Sequence, residues 1–435
     1  MLLLLLACAT PLPDDSSEVA CPPPPDPCPQ GVTGPAAAGI EMLPAVAVPH
    51  GPAWLVVGDL AGVGTMQVYV GTNTTVTRLD GEGWTVATDI WTQPDDGTAV
   101  FPLVADLTGD GTLDLAIGLP GSDDGNGQVI VFPGPVTGPV NWDSPHLELK
   151  GGGGLGFEPA TGDFDGDGQL DLLVNGHGFA MIKRGPFDAD ASFDPDVDTL
   201  LQGPADAPSL YATAANLDGD GVSDVVYSLT DAPSCLDYGT QLGTATGPLG
   251  PGLATLTELP SDVGQAFYTL YDDAAGSSRG APPLAADADG DGLDDLVVYA
   301  LSTEFHPASP VVAALYPSPV GTRDPVYFGL ASQVSLAELT QSGALLSELG
   351  DLDNDGLADL FTGGAILAGP LADLSPPDRE ACTVAYDYVL ANQAAGAAAS
   401  WLGDLDGDGD NELVIAGDGE DNEGAVQVLV GPVAI

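Results

Sequence analysis

The sequence predicts an all-β protein built from one repeated unit of antiparallel strands, and three observations carry that expectation. A nine-residue Asp-rich pattern recurs along most of the 435-residue chain. Each copy runs into a short apolar segment such as LAIGL, LLVNG or LVIAG, and runs of that length bounded by polar turns suit buried strands better than helices. The 59 Gly and 39 Pro fall mainly between such runs, where they act as turn residues rather than as a signature of disorder.

Six copies of the pattern are strong: DLTGDGTLD from Asp106, DFDGDGQLD from Asp163, NLDGDGVSD from Asn216, DADGDGLDD from Asp287, DLDNDGLAD from Asp351 and DLDGDGDNE from Asp404. A seventh, DLAGVGTMQ from Asp59, keeps the outline but loses most carboxylates. The intervals of 47 to 71 residues leave room for about four short strands each. An apolar approach such as PLVA or SWLG precedes the loop, a strand follows it, and several repeats add another, as in Val129 to Phe132 and Val426 to Val430.

Seven such units in line would expose two sheet edges, whereas a ring protects them. The fold class expected is therefore all-β, a seven-bladed β-propeller of four-stranded antiparallel blades with Asp-rich calcium loops. After the last loop only two strands are recognisable, and the segment from Ile40 to Val48 is expected to complete that final blade.

The loops have the composition of a Ca2+ site. Positions 1, 3, 5, 7 and 9 are Asp106, Thr108, Asp110, Thr112 and Asp114 in the first strong copy, and Asp163, Asp165, Asp167, Gln169 and Asp171 in the next. They are Asn216, Asp218, Asp220, Val222 and Asp224 in the third, and Asp287, Asp289, Asp291, Leu293 and Asp295 in the fourth. The last two copies supply Asp351, Asp353, Asp355, Leu357 and Asp359, then Asp404, Asp406, Asp408, Asp410 and Glu412. Alternate side chains of a tight loop converge, and Gly at position 6 permits the turn that brings the carbonyl at position 7 inward. Five or more oxygens suit a hard cation that takes 6 to 8, and the loose geometry favours calcium over magnesium. Without a cation, the crowded carboxylates repel one another.

An EF-hand is excluded, because position 12 is Ile117, Val174, Tyr227, Val298, Thr362 or Ile415, never acidic. Thr108 and Asn216 replace carboxylates, so those two sites are expected to be weaker. The copy at Asp59, with Ala61, Val63 and Gln67 at ligand positions, is expected to hold none.

With residues 105–135 (ADLTGDGTLDLAIGLPGSDDGNGQVIVFPGP) and 403–432 (GDLDGDGDNELVIAGDGEDNEGAVQVLVGP) as its best matches, the chain resembles the FG-GAP repeats of integrin α-subunits and bacterial surface proteins. The resemblance covers about residues 39–435 and implies seven blades, with the calcium loop joining adjacent strands of a blade. The Phe-Gly element is poorly kept, and the fourth and fifth repeats carry insertions. An adhesive function is suggested only by this resemblance.

Ahead of residue 39 the chain reads differently. MLLLLLACAT resembles a bacterial lipobox, which implies a signal peptide over 1–7 and lipidation at Cys8, although no basic residue precedes the apolar run. Residues 8–38 are Pro-rich and read as an extended spacer. In an exported chain Cys21, Cys28, Cys235 and Cys382 are expected to form disulfides, with Cys21–Cys28 and Cys235–Cys382 one of three pairings. Seven Lys and Arg face 64 Asp and Glu, a formal net charge of −57, which disfavours nucleic acid and confines membrane contact to the lipid anchor. The localisation expected is the outer membrane, the cell surface or the medium, as a monomer.

No catalytic arrangement stands out. His50, His146, His177 and His306 show no HExxH spacing, and no GxSxG or P-loop occurs. The five Trp residues read as core rather than as a sugar-binding face, and no DxSxS adhesion motif appears. The reading is a calcium-stabilised binding scaffold for a protein or glycan ligand. A polysaccharide hydrolase or lyase and a purely structural envelope protein are the alternatives.

Overall fold

The computed structural model describes residues 38–49, 54–72, 74–93, 100–144, 146–192, 196, 198–202, 209–232, 239–254, 257–258, 271–272, 278–279, 284–288, 290–300, 311–316, 326–330, 347–362, 365–369, 388–391, 399–418 and 424–430. Cys8, the Pro-rich spacer before residue 38, the other four cysteines, His50 and His306 lie outside the described residues.

Among the described residues the strands form seven sheets of four or five strands and one two-stranded ribbon. The second sheet shows the pattern. Phe101–Ala105 leads through the Asp106 loop to Asp114–Leu119, which pairs antiparallel with Gln128–Phe132, which pairs with Leu147–Lys150. The two middle strands are buried along their whole length, which is why, after Asp114 and Gln128 at their starts, their sequences lack polar side chains rather than alternating. The first strands of the seven sheets touch in order, and the cycle closes where Ala399–Gly403 meets Trp54–Gly58.

The core lies between the faces of neighbouring sheets. Tyr69, Ile90 and Trp91 of the first sheet pack on Leu115, Ile117 and Phe132 of the second. Leu173 and Ile182 of the third pack on Leu210, Val225 and Tyr227 of the fourth. Val414 and Val426 of the seventh meet Leu55, Val68 and Leu79 of the first. Each fully buried Leu, Ile or Val contributes about 1.5–3 kcal/mol. Gly118 is required by close approach, since a Cβ there would lie 2.0 Å from the Gly156 carbonyl oxygen of the next sheet. One sheet later, Asn175 ties sheets together. Its buried amide accepts the Ala212 N–H at 2.8 Å and donates to the Ala212 and Glu158 carbonyls at 3.1 and 3.2 Å.

The N-terminal segment divides differently from the expectation. Only Val46–Val48 completes the last sheet, antiparallel to Gly424–Leu429, while Ala38–Glu41 joins the sixth sheet, parallel to Tyr388–Ala391. The blades are also not uniformly four-stranded and antiparallel, because three sheets gain a fifth strand in parallel. Ala191–Ser192, which precedes the outer strand of the third sheet, joins the second. Gly252–Leu253, which precedes the outer strand of the fourth, joins the third. Ala38–Glu41 stands in the same relation to Val46–Val48, so the N-terminal segment supplies to the seventh repeat both pieces that the third and fourth carry within themselves. Each added strand covers an outer edge that would otherwise present unpaired N–H and C=O groups.

Candidate metal centres

Every Asp-rich loop leaves the end of a first strand and enters a second, so all lie at one end of the sheets. Their conformation follows from carboxylates accepting backbone N–H groups a few residues ahead, as Asx turns do. Asp163 Oδ1 accepts from Gly166 and Asp167 at 2.8 and 3.1 Å, and its Oδ2 from Gly168 at 2.9 Å. The loops at Asp106, Asp287, Asp351 and Asp404 repeat the bond from position 6 at 2.8–3.2 Å. Gly168, at φ +83°, holds a backbone that L side chains rarely adopt. Asn354 takes the left-handed position 4 of its loop at φ +62°, where most copies have Gly.

Position 9 is the buried anchor. Asp114, Asp171, Asp224, Asp295, Asp359 and Glu412 are at most 2% exposed. One oxygen of each accepts the N–H of position 2 at 2.7–3.1 Å. In four of them the other oxygen accepts the N–H of a glycine after the third strand, Gly134, Gly185, Gly247 or Gly369, at 2.8–2.9 Å. Each of these glycines precedes a proline, and in the first three the residue after that proline reaches the previous sheet. Val136 donates to the Leu60 carbonyl, Phe187 to Leu107 and Leu249 to Phe164, at 2.7–2.9 Å. The recurring Gly-Pro was a signal in the sequence that motif reading passed over.

Burial pushes Asp171 and Asp224 above the usual carboxylate range, against their backbone donors. Burial likewise takes Asp359 to about 6, opposed by the Gly369 and Leu352 N–H groups and reinforced by Asp353 and Asp351. The exposed Asp110 is held low instead, by the Thr112 hydroxyl and N–H.

Oxygens of Asp163, Asp165 and Asp171 lie within 4.8 Å of one another, as do those of Asp351, Asp353 and Asp355 and those of Asp404, Asp406 and Glu412. A calcium ion with ligands at about 2.3–2.6 Å accommodates oxygens separated by up to roughly 5 Å, so these three sets fit it. The loops at Asp106 and Asn216 are not gathered in this way, and Asp289 lies outside the described residues. At position 7 the N–H donates to the position 5 carboxylate, at 2.8–3.0 Å in Thr112, Gln169, Val222, Leu293, Leu357 and Asp410.

The side chain at position 7 has a further role that the motif did not show. It packs beneath the position 4 glycine of the preceding loop, where a Cβ on Gly219 would stand 2.8 Å from Leu293 and one on Gly290 2.9 Å from Leu357. Position 8 adds hydrogen bonds between loops, Ser223 N–H to the Asp163 carbonyl at 2.7 Å and Asp294 N–H to Asn216 at 2.8 Å. Neighbouring loops are thus locked together. In the copy from Asp59, the neutral Gln67 fills the buried place of position 9, accepting the Ala61 N–H at 3.3 Å and the Tyr69 hydroxyl at 3.0 Å.

At the other end of the sheets Trp54 and Phe101 meet at a tilt of 55° with centroids 4.0 Å apart, and Phe101 meets Phe157 edge-on at 5.5 Å. Trp91 is 1% exposed and packs on Trp142. His146 sits between Phe132 and Trp142, and His177 lies beside Phe157.

Residues 106–174 match the FG-GAP-like repeat. No curated protein matches the chain. Among solved structures, BBS1N in complex with ARL6DN aligns with a TM-score of 0.51 and 11% identity over 92% of this chain and 99% of that one. An Agrocybe aegerita lectin that recognises non-reducing terminal N-acetylglucosamine aligns at 0.43 and 19% identity, over 73% and 76%. The V. cholerae biofilm matrix protein Bap1 aligns at 0.41 and 12%, over 92% of each. The chain therefore carries an FG-GAP-like repeat on an all-β, β-propeller-like fold, and at these identities the likeness is one of fold alone.

Proposed function

We propose that the seven sheets are the blades of one propeller, that its Asp loops hold Ca2+, and that the protein is a calcium-stabilised scaffold binding a protein or glycan outside the cell. The observation that carries the reading is the convergence of carboxylate oxygens within 4.8 Å in the loops at Asp351 and Asp404. The cyclic contact of the first strands supports the ring. Bound calcium would supply charge neutralisation where three carboxylates converge. The loop residues hold the surrounding backbone in place through their own hydrogen bonds, and position 9 carries the loop's charge into the core.

Binding rather than catalysis is the role that follows, with export and attachment through Cys8 as its cellular setting. Of the described histidines, His146 packs on Phe132 with its Nε2 3.5 Å from Glu148 Oε1, and His177 lies beside Phe157. Among the described residues no helix is long and apolar enough to cross a membrane. Calorimetric titration of the full chain with calcium tests the proposal. Saturable binding at several sites per chain, lost when Asp404 and Asp406 are replaced together at their site, is the expected result. No binding at millimolar calcium overturns it.

A further inference from the structure

The loop from Asp163 carries carboxylates at positions 1, 3, 5 and 9, yet it differs from the others in what stands against it. Of the seven Lys and Arg in the chain, Arg184 is placed here. Its Nη1 lies 3.1 Å from Asp165 Oδ2 and 3.2 Å from Asp171 Oδ2, two of the three carboxylates whose oxygens converge. Nη2 donates to the Thr199 hydroxyl at 3.0 Å and to the Leu249 carbonyl, so the guanidinium is held from both sides. Its side chain is only 11% exposed. Lys183 is turned away to Asp198, at 2.8 Å. Arg184 immediately precedes Gly185, the glycine that donates to Asp171. The residues before the equivalent glycines are Pro133, Thr246 and Ala368, none of them charged.

We propose that Arg184 is a built-in counter-cation that closes the site at Asp163: it takes the Asp165 and Asp171 oxygens that a divalent ion needs, and the loop is held without metal. A fixed guanidinium is always charged and forks onto carboxylates. A divalent ion at the same oxygens has to displace it or bear its repulsion at short range in a half-buried setting. A loop with carboxylates at positions 1, 3, 5 and 9 is thereby the weakest calcium binder among those with that set. This inference rests on the reading that the other Asp loops take calcium.

The test is calcium titration by calorimetry on the full chain, with chelator-treated protein as the starting state. Arg184→Gln gains one binding equivalent, or tightens one site by about tenfold or more, as the loss of a close positive charge requires. Its melting temperature in chelator falls below that of the unaltered chain and recovers in calcium. Should Arg184→Gln not fold, a second pair reads the same point without touching the arginine. Asp165→Ala leaves the calcium stoichiometry unchanged, whereas Asp406→Ala, at the same position of the Asp404 loop, removes one equivalent. Equal stoichiometry and affinity in Arg184→Gln and the unaltered chain, or equal losses in the two alanine variants, overturn the inference. If no protein of the series binds calcium, the metal reading of the loops fails first and takes this inference with it, and Asp406→Ala then changes no heat at all.

Discussion

Replacing Asp114 by Ala removes a carboxylate that is fully buried and accepts three backbone N–H groups, from Leu107, Thr108 and Gly134, each at 2.8 Å. A hydrogen bond to a charged acceptor is worth about 1.5–3 kcal/mol, and an orphaned buried donor costs about 1–3 kcal/mol. Leu107 is buried and its N–H keeps only the Ala105 carbonyl, at 3.1 Å, as a second acceptor, while Thr108 and Gly134 are only partly covered. A loss near 4 kcal/mol is therefore expected for Asp114→Ala, and about half of that for Asp114→Asn, which keeps one acceptor oxygen. Urea unfolding in chelator measures it, so that no metal contributes. Asp110→Ala is the control, because Asp110 is exposed and its removal should shift stability by no more than about 0.5 kcal/mol. A loss below about 1 kcal/mol for Asp114→Ala, or an equal loss for Asp110→Ala, refutes the view that position 9 is the anchor.

Three more outcomes follow from the same geometry. Asn175→Ala leaves the Ala212 N–H unpaired between sheets and should cost about 2–3 kcal/mol in the same assay, with no change in calcium stoichiometry. Gly424→Ala places a Cβ 2.2 Å from the Pro49 carbonyl oxygen and disrupts the pairing of Val48 with Gly424; calorimetric melting should show a loss of about 2 kcal/mol or more, and deletion of residues 39–50 a collapse. In chelator, Asp359 titrates near 6 in the folded chain, above its ordinary 3.8. A group raised on folding stabilises fully below its unfolded value and loses that contribution as pH rises through the folded one. The calcium-free protein should thus melt lower at pH 7 than at pH 4.5, and Asp359→Asn should flatten that slope.

Much of this fold was legible in the sequence because each Asp loop is local: ligand spacing, the Gly turn and the strand that follows sit within about 15 residues. The reading of Leu115 to Leu119 and Val129 to Phe132 as strands, found at Asp114–Leu119 and Gln128–Phe132, depended on nothing beyond their own neighbours. What escaped was set by distant partners. Ala38–Glu41 has no local feature that sends it to Tyr388–Ala391 rather than to the last sheet with Val46–Val48. Position 7 was read only for its carbonyl, because the glycines its apolar side chains pack against lie in the preceding loop, more than 60 residues away in sequence for Leu293 and Leu357. Arg184 stands 13 residues beyond Asp171, in a different strand connection, and only the fold brings it onto the carboxylates.

Thermal unfolding of the full chain in millimolar calcium, in magnesium and in chelator, at one ionic strength and pH 7, tests the calcium account most directly. Calcium at about one hundred times its dissociation constant contributes roughly 2.7 kcal/mol per occupied site, so several sites should raise the melting temperature by many degrees, and magnesium by far less. Identical melting temperatures in calcium and in chelator would contradict the claim that the metal is part of the fold.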